Sequence, residues 1–124
     1  MGSGKRQVKQ GDGWRLGWNP DADQFKGLIG GDGWALELTE SELDDFCRFV
    51  VQLAHTMARM APELMAEEKI SCELESDRLW LEAEGHAHAY MLHFILRTGR
   101  RGEGCWGDRA AAELTQAVQT LKLF

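Results

Sequence analysis

The stretch between Thr39 and Pro62 limits the fold more than any other part of the chain. Apolar residues fall at Leu43, Phe46, Val50, Leu53, Met57, Met60 and Leu64, alternating by three and four, which is the spacing of one face of an α-helix. Thr39 followed by Glu42 is a capping box, in which the Thr oxygen accepts from the third helical amide and the Glu reaches back to the cap. Pro62 ends or kinks the helix near Ala61. The spacing therefore predicts a helix over 43–64, a rod of about 33 Å. Cys47, Val51, Ala54, Ala58 and Ala61 run beside the main stripe. The buried face is thus broad, and its small residues let another backbone come close. In a chain of 124 residues, about one domain, that face must be wrapped by segments from both ends.

Those segments read as strands. Residues 1–11 are expected to be a polar tail. In "GWRLGWN" (13–19), Trp14, Leu16 and Trp18 alternate with Arg15 and Gly17, the period of a strand. "NPDAD" (19–23) is turn chemistry. "FKGLIG" and "WALEL" are two further strands, joined by the "GDG" turn at 31–33. After the helix, Ile70, Cys72 and Leu74 alternate with glutamates. "ESDR" is a hairpin turn and "LWLEAE" a strand that Gly85 breaks. "HAHAYMLHFILRT" (86–98) reads as a long central strand, "GRRGEG" as a loop, "CW" as a short last strand, and Asp108 as the cap of a second helix. The expected fold is α+β, with antiparallel sheets from two units of three or four strands and a helix, one helix long and one shorter. A single domain over 12–124 would carry an approximate duplication, 12–65 and 69–124. "GDGW" occurs at 11–14 and 31–34, with an echo, "GEGCWGD", at 102–108. The second copy and the echo are expected to be the last hairpin of each unit, and the first copy the entry to the first strand.

Composition bounds the function. The hydrophobic share is 44% and the charged share 27%, ordinary for a soluble domain, and no apolar run is long enough to span a membrane. Three widely spaced cysteines, Cys47, Cys72 and Cys105, fit neither a disulfide framework nor a cysteine zinc site. They point to the reducing cytoplasm. A net charge of −6 repels nucleic acid and anionic membrane on average.

Several constellations could carry chemistry. "GDGW" puts a carboxylate inside a glycine loop and a strand after it, which suits a structural turn and repels phosphate. His86 and His88, at i and i+2 on a strand, would share one face and are the candidate metal or small-ligand pair. The expected state of the pair is a solvated hairpin end, because zinc needs three or four ligands. Trp34 and Trp106 suit a core. Trp80 shares parity with Arg78, Glu82 and Glu84, so it stands on a polar face and is a contact candidate. With Tyr90, Arg97, Arg100 and Arg101 it forms the candidate surface for a partner or for single-stranded nucleic acid. For the arginines the favoured reading is balance of the acidic helix start within the fold, ahead of a grip on phosphates. No nucleophile–base pair is apparent.

Taken together, "GDGWRLGWNP", "GLIGGDGWALELTE", "CELESDRLWLEAEG" and "GRRGEGCWGDRAAAEL" resemble a family of uncharacterised cyanobacterial proteins over nearly the whole chain. The resemblance implies a fold similar to the Whirly and coactivator-type single-stranded-DNA-binding domains, two units of four strands and a helix about a pseudo-two-fold. Those relatives use a Lys-rich strand segment. Here the corresponding strands carry Glu73, Glu75, Glu82 and Glu84. The expected function is a non-enzymatic interaction domain without a cofactor, binding a protein partner or a second copy of itself. Single-stranded nucleic-acid binding is the first alternative and ligand binding at His86 and His88 the second.

Overall fold

The computed structural model describes residues 5–121. The long helix forms where its spacing places it. Helix α1 runs Glu40–Met60. Thr39 Oγ1 accepts from the Glu42 amide at 3.2 Å, and Glu42 Oε1 accepts from the Thr39 amide at 2.9 Å, so both arms of the capping box are made. Pro62 sits in a single 3-10 turn, Ala61–Glu63, that closes the helix. Leu43, Phe46, Val50, Leu53 and Met57 are buried. The stripe then outruns its cover, and Met60 is already exposed.

The first sheet is an antiparallel meander of β1 Gln7–Gly11, β2 Trp14–Trp18, β3 Gly27–Gly31 and β4 Trp34–Leu38. The expected tail at 1–11 is corrected over its described part. Gln7–Gly11 pairs with β2 along its whole length, from Gln7↔Trp18 to Gly11↔Trp14. It reads as polar because it is an edge strand, where Lys and other polar residues discourage further pairing. Residues 1–4 lie outside the described residues.

β1 explains the repeated "GDGW". The copy at 11–14 is a hairpin turn like the copy at 31–34, not the entry to a first strand. In each, the third residue takes positive φ, 80° at Gly13 and 81° at Gly33, which a side chain would strain. In each, the Trp ring folds back over the first glycine, across the ladder pairs Gly11↔Trp14 and Gly31↔Trp34. A Cβ on Gly11 or Gly31 would collide with that ring. The motif is a tight turn with an aromatic lid, used twice in one sheet.

The second sheet is β5 Ile70–Glu75, β6 Leu79–His86, β7 Ala89–Leu96 and β8 Gly102–Trp106, again in chain order, followed by α2 Asp108–Thr120. Three expectations are corrected here. β6 does not break at Gly85, which stays in the ladder opposite Tyr90. The 86–98 segment is therefore divided, with a turn at Ala87 and His88. The echo at 102–106 is the strand itself. Its glycines face the first sheet, where a Cβ on Gly104 would strike the Trp34 ring and one on Gly102 the Leu36 side chain. The N-cap of α2 is Gly107, with Asp108 in the first turn, where its charge still favours the helix N-terminus.

Each unit is thus a four-stranded meander and a helix. The helices pack across the units. α1 lies chiefly on β5 and β6, α2 on β7 and β2, and the two helices touch. Trp106 sits at the junction, buried, with ring centroids 5.2 Å from Trp34 and 5.7 Å from Phe46. Its Nε1 donates to the Gly30 carbonyl at 2.8 Å. At the rim Trp14 Nε1 donates to Glu113 Oε1 of α2 at 2.8 Å.

Candidate functional site

Strand parity sends one half of the second sheet inward and the other half out. Leu79, Leu81 and Ala83 of β6, and Leu92, Phe94 and Leu96 of β7, are buried. The alternate residues form the outer face, and the register arranges them in rows. One row reads Glu75–Trp80–Ile95–Glu103, the next Glu73–Glu82–His93–Cys105, and beyond them Glu84 lies opposite Met91. Five glutamates therefore share this face with a half-buried apolar pair, Trp80 and Ile95, and with Met91, which the Glu82–His93 row separates from them. Glu73 and Glu82 stand directly opposite each other, an arrangement that costs stability in a sheet.

His93 occupies the centre. Its ring meets Trp80 edge-on at 5.1 Å. Its Nε2 lies 2.6 Å from Glu103 Oε2, and its Nδ1 4.0 Å from Glu82 Oε1. Ser71 Oγ donates to Glu82 Oε2 at 2.6 Å, and Arg97 pairs with Glu75. Glu82 is thereby fixed in place. For Glu73 and Glu84 no partner is seen among the described residues.

The contact residues expected from sequence are only partly brought together. Trp80 and Arg97 border the outer face through Ile95 and Glu75. Tyr90 has the opposite parity and turns toward α2. Burial pushes its hydroxyl above the ordinary tyrosine value, and a hydrogen bond with Thr115 partly offsets this. Arg100 belongs to the helix start. It pairs with Glu42, donates to the Glu37 carbonyl at 2.5 Å, and lies over the Phe25 ring at 4.5 Å. Arg101, with φ 54°, holds the tight turn before β8 and lines a shallow groove with Arg97 and Ile95. Arg97 and Arg101 thus share one groove, while Arg100, between them in sequence, serves the helix start.

Glu42 is the most densely bonded carboxylate. Burial acts to raise its pKa, but the Thr39 amide, Arg100 and Thr98, which donates at 2.9 Å, outweigh burial and hold it below the ordinary value. His86 ends β6, with its Nδ1 3.1 Å from the Glu68 carbonyl, and His88 lies in the following turn. The two histidines are not an i, i+2 pair on one strand. Among the described residues no three His, Cys, Asp or Glu side chains gather to hold a metal ion. Sequence reasoning found Trp80 but missed Ile95 and His93 as its neighbours, and Met91 and Glu103 on the same face. Their parity was legible; the register that aligns them with Trp80 was not.

Residues 9–121 match the pattern of a domain of unknown function, DUF1818. The chain belongs to the DUF1818 family. A crystal structure of a protein of unknown function from Prochlorococcus sp. NATL2A, described as a member of the DUF155 family, is similar to this DUF1818 chain. The two are 29% identical, with a TM-score of 0.87 over 92% of this chain and 97% of that one. No functionally curated protein matches. No helix among the described residues is long and apolar enough to cross a membrane.

Proposed function

We propose that this DUF1818 chain is a non-enzymatic interaction domain that receives a basic protein segment on the outer face of its second sheet. The observation that carries this reading is the half-buried Trp80–Ile95 pair, with Met91 two rows along the same face, among Glu73, Glu75, Glu82, Glu84 and Glu103. An aromatic anchor within a charged surround is a common arrangement in protein interfaces. Cations from a partner would relieve the repulsion between Glu73 and Glu82. The three free cysteines support a reducing cytoplasm as its setting.

The repeated order of four strands and a helix, with helices crossing between units, supports an arrangement like the Whirly and coactivator-type domains about a pseudo-two-fold. The acidic face argues against carrying their nucleic-acid binding across, because phosphates would meet carboxylates where they need cations.

The test is a pair of titrations at low salt, followed by NMR. One uses a cationic peptide of alternating Lys and Leu, the other oligo-dT of equal length. The peptide is expected to bind, with shifts confined to outer-face amides of β6 and β7. Trp80→Ala or Glu82→Lys should weaken it at least tenfold, by about 1.4 kcal/mol or more. Tighter binding of the oligonucleotide, or peptide binding that ignores both substitutions, would overturn the reading.

A further inference from the structure

The outer face of the second sheet changes sign along its strands. Its glutamates fill the rows from Glu84 to Glu75 and Glu103. The next outward position along β7 is Arg97, two residues past Ile95 and just beyond the strand. The Arg97 amide still donates to the Arg78 carbonyl at 2.7 Å, so the pairing continues there, and the parity with it. Arg101, one residue before β8, lines a groove with Arg97, Ile95, Gly102 and Glu103. Both arginines are exposed.

The carboxylates at this groove are engaged. Glu103 Oε2 lies 2.6 Å from His93 Nε2. Glu75 pairs with Arg97 through Nη1, which leaves the other edge of that guanidinium for a second acceptor. Arg78 is drawn away to Asp45 of α1, at 3.4 Å. Arg101 enters no ion pair among the described residues. It is also the one non-glycine residue among them with positive φ, at 54°. A glycine would hold that turn without strain. An arginine kept at a strained position, unpaired and at the mouth of a groove, points to a use for its charge.

Guanidinium forks match the two oxygens of a carboxylate. His93 and Arg97 are four residues apart along β7, about 13 Å. An extended chain of about five residues therefore sets a cation among Glu73 and Glu82 and a carboxylate at Arg97 and Arg101. The turns at 76–78 and 98–101 end the sheet here, so a segment lying on the face runs out at this groove, where a chain end leaves nothing more to seat. We infer that the groove of Arg97 and Arg101 takes the terminal carboxylate of the basic segment, which is then a C-terminal tail with its cations upstream over the glutamates. This rests on the outer face receiving a basic segment, as proposed above, and names which part of the partner it receives.

The test titrates the full chain at low salt and neutral pH with three forms of the Lys–Leu peptide. One ends in a free carboxylate, one in an amide, and one is amidated with Glu as its last residue. Wild type should bind the free acid about fivefold tighter than either amidated form, with added shifts at the Arg97 and Arg101 amides. Arg101→Gly suits the turn better, so it should melt no lower than wild type. It should lose most of the preference, yet bind the amidated peptide as well as wild type or better, because a like charge has gone. Free acid and amide bound alike by wild type overturn the inference and leave the reading of the face standing. So does an amidated Glu peptide that equals the free acid, or a preference that survives Arg101→Gly. If none of the peptides binds, the reading of the face falls and takes the inference with it.

Discussion

Glu42 offers the sharpest test of how the two halves are joined. Its carboxylate receives the Thr39 amide at the start of α1, and from the β7–β8 connection it receives Thr98 and Arg100. Glu42→Ala removes one arm of the capping box, a loss of about 1 kcal/mol. It also leaves Thr98 and Arg100 without their acceptor. Arg100 keeps 36% of its side-chain surface in water, so its share is discounted to about 1 kcal/mol. The expected cost is roughly 2–3 kcal/mol. Glu42→Gln keeps the capping geometry and loses only the charge, for about 1 kcal/mol. The native carboxyl titrates below its ordinary value, so it stabilises the fold fully above the unfolded pKa of about 4.3. That stabilisation fades as pH falls through the lower native value. Urea unfolding at neutral pH should therefore separate wild type from Glu42→Gln, and the gap should close as pH falls below the unfolded value. A double-mutant cycle with Arg100→Met should show coupling of about 1 kcal/mol. A Glu42→Ala variant within about 0.5 kcal/mol of wild type, or a gap that does not change with pH, would refute the reasoning.

Three further substitutions examine other joints. Gly33→Ala meets no neighbour but must adopt φ near 81°, and should lose about 1–2 kcal/mol. Gly104→Ala drives a methyl into the Trp34 ring and should lose more, about 3 kcal/mol; thermal melting that ranks the two in reverse contradicts the lid geometry. Trp106→Phe keeps the ring cluster but strands the buried Gly30 carbonyl, at an expected cost of about 2 kcal/mol by urea titration. Burial, with Asp44 nearby, pushes the Cys47 thiol up to about 12, whereas Cys105 is exposed and only raised, by partial burial and Glu103. Iodoacetamide at mildly alkaline pH should therefore label Cys105 on the native protein and spare Cys47 until it unfolds, and Glu103→Gln should speed the Cys105 reaction.

The long helix was legible because two independent signals agree on it, the three–four spacing from Leu43 to Met57 and the Thr39–Glu42 box. The parity of β2, β4, β5 and β6 was legible for a similar reason, since each has one wet and one dry face. β1 was not, because Gln7–Gly11 contributes almost nothing to the core, and an edge strand without an apolar side looks like a tail. Gly85 and Gly104 misled in the opposite sense. Glycine usually punctuates a strand, but here it is set by a neighbour's bulk, Tyr90 across the ladder and Trp34 across the sheets. The candidate face divides along the same line. Trp80 announced itself through its own strand, but its neighbours Ile95 and His93 reach it only through a pairing that spans a turn. Arg100 shows the converse, since its closeness in sequence to Arg97 and Arg101 said nothing about its separate destination at Glu42.

The crossing of the helices between units bears on how the chain is born. Trp14 waits for Glu113, Gly30 for Trp106 and Glu42 for Arg100, separations of 99, 76 and 58 positions. Before β5 and β6 are made, α1 has only β3 and β4 to lie on, and much of its Leu43–Met57 stripe lacks its cover. The contacts that the first sheet makes with β8 and α2 form only after those later segments are made. A chaperone attending that stage would find its handle in the Leu43–Met57 stripe, which stays partly uncovered until β5 and β6 are in place.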